Sequence, residues 1–160
     1  MNAELVTLSA ALGQTLLERG LTLATAESCT GGLIGCSLTD VPGSSRWYLG
    51  GVVAYANSVK QALLDVPEEE LLRHGAVSRQ VVLSMARGAA ARLGAACAVA
   101  VSGIAGPDGG TPDKPVGTVW VAWRLPEGVD AQIFHFQGDR LAVKRQSAAA
   151  AILGLTSRLG

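Results

Sequence analysis

Apolar residues change period several times along the chain, and each change marks an element. Leu5, Leu8, Leu12 and Leu16 recur every three or four residues. That spacing predicts an amphipathic helix from Ala3 to Glu18, stopped by Gly20. Leu21 to Ala26 is apolar-rich and predicts a strand. Gly32 to Leu38 predicts a helix that must end before Pro42. Trp47 to Ala56 is an apolar run with Gly50 and Gly51 at its centre, which predicts a buried strand bulged at the glycines. Asn57-Ser58 breaks it and opens a short helix, Val59 to Leu64.

Pro67 starts a further helix, Glu68 to His74, with three carboxylates in its first turn, where the dipole favours them. Ser78 caps a longer helix that buries Val81, Val82, Met85, Ala89 and Leu93 and ends at Gly94. Ala96 to Val101 is continuously apolar, as a strand buried on both faces is. Val116 to Leu125 and Ala131 to Gln137 predict a hairpin turned at Pro126-Glu127-Gly128. Asp139 caps a last helix running to about Leu159. Strands interleaved with helices predict an α/β fold: a three-layer α/β/α sandwich around a mixed, mostly parallel sheet, with a C-terminal hairpin followed by a long helix. No repeat or linker divides it, so one domain over residues 1–160 is expected.

Composition narrows the classes. Hydrophobic residues make up 49% of the chain and charged residues only 16%, which excludes a disordered chain. Thirteen basic residues balance thirteen acidic ones, without a basic stripe, so direct nucleic-acid contact is not expected. No apolar run approaches a bilayer span, and the N-terminus lacks a signal-peptide pattern. Cys29, Cys36 and Cys97 have no metal-type spacing, and an odd number fits a reduced compartment. A cytoplasmic protein without cofactor or metal is the expectation.

The candidate chemistry lies where strands end. Thr25-Ala26-Glu27-Ser28-Cys29-Thr30-Gly31-Gly32 is a strand-to-helix turn of hydroxyls, a thiol, a carboxylate and glycines. Its helix N-terminus offers backbone N–H groups as a cradle for an oxyanion or phosphate. Ser28 and Cys29 compete as nucleophile; an ordinary helix cap and a packed thiol are the plain alternatives. Glu27 orients a neighbour or caps a backbone group. Lys60 falls in the first turn of the next helix, where burial and the dipole would lower its pKa and make it a base; a solvated lysine is the alternative. His74 at a helix end and His135 on the outer face of a strand offer no base, so a Ser-Lys site is the better enzyme model than a Ser-His-Asp triad. Ser102 to Pro112 is the longest glycine- and proline-rich loop. In open α/β sheets these three segments meet at one crevice. Arg145 falls on the stripe Leu141, Ala148, Ile152 and Leu155 of the last helix, where it needs Glu27, Asp139 or a ligand phosphate as partner. Arg140 and Lys144 fall off that stripe and are expected in solvent. GxxxxGK and GxGxxG motifs are absent.

Six segments in order resemble a known family: the octet at 25–32, Val41-Pro42-Gly43-Ser44-Ser45, the stretch from Gly50 to Lys60, Gly75-Ala76-Val77-Ser78, Ser102 to Pro107 and Lys114 to Val119. Together they resemble the CinA C-terminal domain family, whose stand-alone members are nicotinamide-nucleotide amidases, over nearly the whole chain. The resemblance implies a metal-free amidohydrolase that releases ammonia from nicotinamide mononucleotide. It implies Ser28 as nucleophile, with Tyr55 and Lys60 as its activating partners. Substrate contacts then fall on Glu27, Cys29, Thr30, Gly31 and Gly32, on Asn57, on Ser102, Gly103, Ile104, Ala105 and Gly106, and on Arg145. A homo-oligomer, a dimer by preference, is the expected assembly. Longer relatives carry an additional N-terminal domain. The alternative function is a non-catalytic nucleotide-binding module or an accessory role in competence and DNA damage.

Overall fold

Five strands and six α-helices lie along residues 2–160, the part of the chain that the computed structural model describes. In order they are α1 (Ala3–Arg19), β1 (Leu23–Glu27), α2 (Leu33–Thr39), β2 (Tyr48–Val53), α3 (Asn57–Leu64), α4 (Glu68–His74), α5 (Arg79–Leu93), β3 (Cys97–Gly103), β4 (Thr118–Leu125), β5 (Gly128–His135) and α6 (Arg140–Leu159). Ser78 and Asp139 cap α5 and α6 as expected, Asn2 caps α1, and α3 begins at Asn57 without a side-chain cap. Asn2, Ser78 and Asp139 accept from the backbone N–H of Leu5, Val81 and Ala142. Gly20 and Gly94 end α1 and α5 in the left-handed conformation that a side chain resists.

The sheet has the order β2-β1-β3-β4-β5. β1 pairs in parallel with β2 and β3, while β4 is antiparallel to both β3 and β5. Only β4 therefore runs against the others. The continuously apolar β3 lies at the centre as expected, and β1 beside it is likewise buried along its whole length. The hairpin is tighter than its sequence suggested. Leu125 pairs with Gly128 across a two-residue turn, so Gly128 opens β5 rather than belonging to the turn.

Helices α1, α2 and α6 cover one face through Leu5, Leu12, Leu16, Ile34, Leu38, Ile152 and Leu155. Helices α3 and α5 cover the other, with α4 packed alongside. That second sheet face is built of alanines, Ala24, Ala26, Ala98, Ala100 and Ala122, against Val81, Val82, Met85, Ala86 and Ala89 of α5. Small side chains let α5 lie close to the strands. Gly88 continues this close packing outward, because a Cβ there would stand 2.0 Å from the Leu64 carbonyl oxygen at the end of α3. Among the described residues no helix is long and apolar enough to cross a membrane.

One sequence expectation for α6 fails. Leu141 is 57% exposed and Arg145 is exposed with it. The buried stripe is Val143, Ser147, Ala148, Ala151, Ile152, Leu155 and Leu159. Leu141 is a solvent-facing leucine, so phasing the helix on it turned Arg145 inward when it points out.

Candidate active site

Topology gathers three segments at the carboxyl edge of the sheet. β1 delivers Ser28, β2 leads through Tyr55 into α3, and β3 runs into the Ser102–Gly106 loop. β5 runs in the same direction as these strands, so α6 also begins at that edge. A cavity of about 270 Å³ lies there. It is lined by Ser28, Cys29, Tyr55, Asn57, Lys60 and the Ser102, Gly103, Ile104, Ala105 and Gly106 segment. Ala76, Val77, Asp108, Gly109 and Arg140 complete the lining.

Lys60 is the most unusual residue in it. Its side chain is 1% exposed. Its Nζ donates to Ser28 Oγ at 3.1 Å and to the Tyr55 backbone carbonyl at 2.9 Å. Burial pulls its pKa below the ordinary lysine value. Ser28 is itself buried, and its N–H is fixed by the Val101 carbonyl at 3.0 Å. An amine of lowered pKa thus lies against a hydroxyl whose backbone is held by β3. Cys29 has the opposite character: burial pushes its thiol up to about 12, so it stays protonated and unreactive at neutral pH.

Several sequence expectations move. The Tyr55 hydroxyl does not bridge Ser28 and Lys60. It accepts from Arg140 Nη2 at 3.0 Å, and only the Tyr55 carbonyl touches Lys60. Glu27, Thr30, Gly31 and Gly32 do not line the cavity. The Glu27 carboxylate is buried and accepts from Thr30 Oγ1 at 2.7 Å, Ile34 N–H at 2.9 Å and Gly35 N–H at 3.0 Å. The Gly31 N–H is taken by the Ser28 carbonyl at 3.1 Å. The N-terminus of α2 is therefore occupied by the chain's own groups rather than open as an anion cradle. Arg145 lies in a separate hollow with Asn2, Leu33 and Asp40, away from the crevice.

Arg140, expected in solvent, is exposed, and it stands at the rim of the crevice, where Arg145 was expected. Its guanidinium donates to the Gly106 carbonyl at 2.6 Å as well as to Tyr55, closing the rim between the loop, the β2–α3 connection and α6. The signal for it was available: the Asp139 cap makes Arg140 the first residue of a helix that starts at the carboxyl edge. Lys144, also expected in solvent, is half-buried, and a Cβ on Gly31 would stand 3.8 Å from its Nζ. Among the described residues, no group of three or more His, Cys, Asp or Glu side chains is placed to hold a metal ion.

Known proteins carry the same arrangement of segments. The family model for the CinA C-terminal domain matches residues 5–159. A nicotinamide-nucleotide amidohydrolase PncC from Pseudomonas putida is 52% identical over 151 residues, covering 94% of both chains. A CinA-like protein from Desulfotalea psychrophila is 53% identical over 142 residues, and this chain spans only 34% of its length. The crystal structure of the competence/damage inducible protein CihA from Agrobacterium tumefaciens superposes with a TM-score of 0.95 at 39% identity, over 98% of this chain and 96% of that one. This chain belongs to the CinA C-terminal domain family.

Proposed function

We propose that this protein hydrolyses the carboxamide of nicotinamide mononucleotide, giving nicotinic acid mononucleotide and ammonia. One observation carries the reading: the buried Lys60 amine lies 3.1 Å from Ser28 Oγ inside a cavity of about 270 Å³. A binding module needs no such pair. Relatives of matching length that bear the amidohydrolase name support the substrate class.

The geometry supports the following chemistry. With Lys60 neutral, the hydrogen bond reverses and Ser28 donates to the amine. Ser28 Oγ then attacks the carboxamide carbon as Lys60 takes its proton. The tetrahedral intermediate collapses when Lys60 returns that proton to the departing nitrogen, which leaves as ammonia. The C–N bond breaks and a nicotinoyl ester stays on Ser28. Water, deprotonated by Lys60, attacks the ester carbon, and Lys60 passes that proton to the departing Ser28 Oγ, which frees the acid and restores both residues. Arg140 supplies the positive charge at the rim that a nucleotide phosphate requires. The test is ammonia release from nicotinamide mononucleotide by the purified protein. Wild type should release it, and Ser28→Ala should release none while keeping its fold. An active Ser28→Ala protein overturns the reading.

A further inference from the structure

Glu27 precedes the nucleophile in sequence yet faces away from the cavity. Its backbone is held at the end of β1. It pairs with Val53 on one side and Val101 on the other, and its carbonyl accepts from Ala54 N–H at 2.8 Å. From that fixed base its carboxylate reaches forward over the turn and ties Thr30, Ile34 and Gly35. Between base and tie lie Ser28 and Cys29, followed by Gly31 and Gly32, both at positive φ. Two glycines make a soft turn, with little intrinsic preference for one geometry. The Ser28 N–H is held by Val101 at the start of the segment, and the tie from Glu27 restrains the glycine side of it.

The surroundings keep the carboxylate in that role. A Cβ on Gly35 would stand 3.5 Å from Glu27 Oε2 and 2.8 Å from the Tyr48 hydroxyl. Tyr48 in turn bonds Thr25 Oγ1 at 2.7 Å, closing the back of the cage. With 2% exposure, the carboxylate has no path to a ligand. Both of its oxygens are committed to donors of the chain, as a buried carboxylate demands.

We infer that Glu27 is a positioning residue for the Ser28 reaction: it clamps the glycine turn so that Ser28 Oγ is held at Lys60. This rests on Ser28 being the nucleophile proposed above. A residue that only capped α2 would change stability and leave the chemical step alone.

Glu27→Gln separates these roles at constant volume. Whichever way the amide is turned, its NH₂ group opposes a backbone N–H that the carboxylate accepted. The expected result is a kcat lowered at least about tenfold with KM near wild type, since an ångström of misplacement is worth up to about a hundredfold. Reaction of Ser28 with an alkyl fluorophosphonate, which forms a Ser–O–P bond and expels fluoride, should slow in parallel. Unchanged kcat and labelling rate in a folded Glu27→Gln protein overturn the inference, even if the melting temperature falls. Should Glu27→Gln not fold, Thr30→Val and Thr30→Ser give the same reading. Valine removes one arm of the tie and should slow labelling, while serine keeps the hydroxyl and should restore it; equal rates for both overturn the inference. The labelling rates also separate the two proposals. If wild type labels at Ser28 but releases no ammonia from nicotinamide mononucleotide, the substrate assignment fails, and the variants still report on Glu27.

Discussion

Lys60 costs the fold stability that the site requires. Burial lowers its folded-state pKa below the unfolded value of 10.5, so between the two the unfolded chain holds a proton that the native protein has released. Stability then rises with pH through that window, and the cost is full below the folded pKa. In the proposed mechanism activity has the same sense, because only a neutral amine accepts the Ser28 proton. The rate is expected to climb with pH as Lys60 loses its charge. Lys60→Met should abolish ammonia release, raise the melting temperature most at acid pH, and flatten its dependence on pH; thermal melts across a pH series check this. Cys29 makes the complementary case. With its thiol pushed up to about 12, Cys29→Ser should keep turnover within about tenfold, against the complete loss expected for Ser28→Ala. Iodoacetamide should label the exposed Cys36 and spare Cys29, as read by peptide mass. Residue types alone left Ser28 and Cys29 equal and Lys60 undecided between base and surface charge. What distinguishes them in the structure is the burial of Lys60 and its hydrogen bond to Ser28, both set by segments far away in sequence, which no local pattern reports.

Elements were more legible than side chains. Period and caps locate every helix and strand to within a few residues, because hydrophobic spacing and Ser, Asp, Pro and Gly signals act locally. The phase of α6 was not legible. In its first three turns the inner stripe is Val143, Ser147, Ala148 and Ala151, so a single large apolar residue marks the phase there, and exposed Leu141 misled it. Arg140 shows what the correct phase and topology give. As the cation on the rim of the crevice, its loss should weaken binding of the phosphorylated substrate. Arg140→Ala is expected to raise KM at least about tenfold, the worth of a charge-assisted hydrogen bond, with a smaller change in kcat. The contact between α3 and α5 is the other element-level control. Gly88→Ala would put a Cβ 2.0 Å from the Leu64 carbonyl oxygen and push α3 outward. The helix propensity gain of about 1 kcal/mol cannot offset such an overlap. Lys60 sits one turn before Leu64, so the displacement carries its amine away from Ser28. A folded Gly88→Ala protein should lose at least about tenfold in kcat.

At the scale of the whole molecule, the proposed site and the packing against Trp123 lie toward opposite ends of α6. The helix has 20 residues, so it runs about 30 Å, with Arg140 at the crevice and its last turns on β4. There the Trp123 indole donates to the Ala151 carbonyl at 2.9 Å, and Arg158 stacks 3.6 Å from the ring centroid while pairing with Asp130. Gly154 is what lets the helix approach: a Cβ there would stand 2.2 Å from Trp123 Cζ2. Gly154→Ala therefore forces either the indole or the helix to move. Overpacking of this kind costs about 1–3 kcal/mol. Gly154 lies 14 residues from Arg140, roughly 21 Å along the axis, and the intervening stripe is locked by Val143, Ala148 and Ile152. The strain should be absorbed near Trp123 and not reach the crevice. The expected outcome is a lower melting temperature, with kcat and KM for the folded protein unchanged. Gly88→Ala, a like overlap on the opposite face, should do the reverse and cut kcat. If Gly154→Ala reduces kcat as much as Gly88→Ala does, the separation of core and site along this helix does not hold.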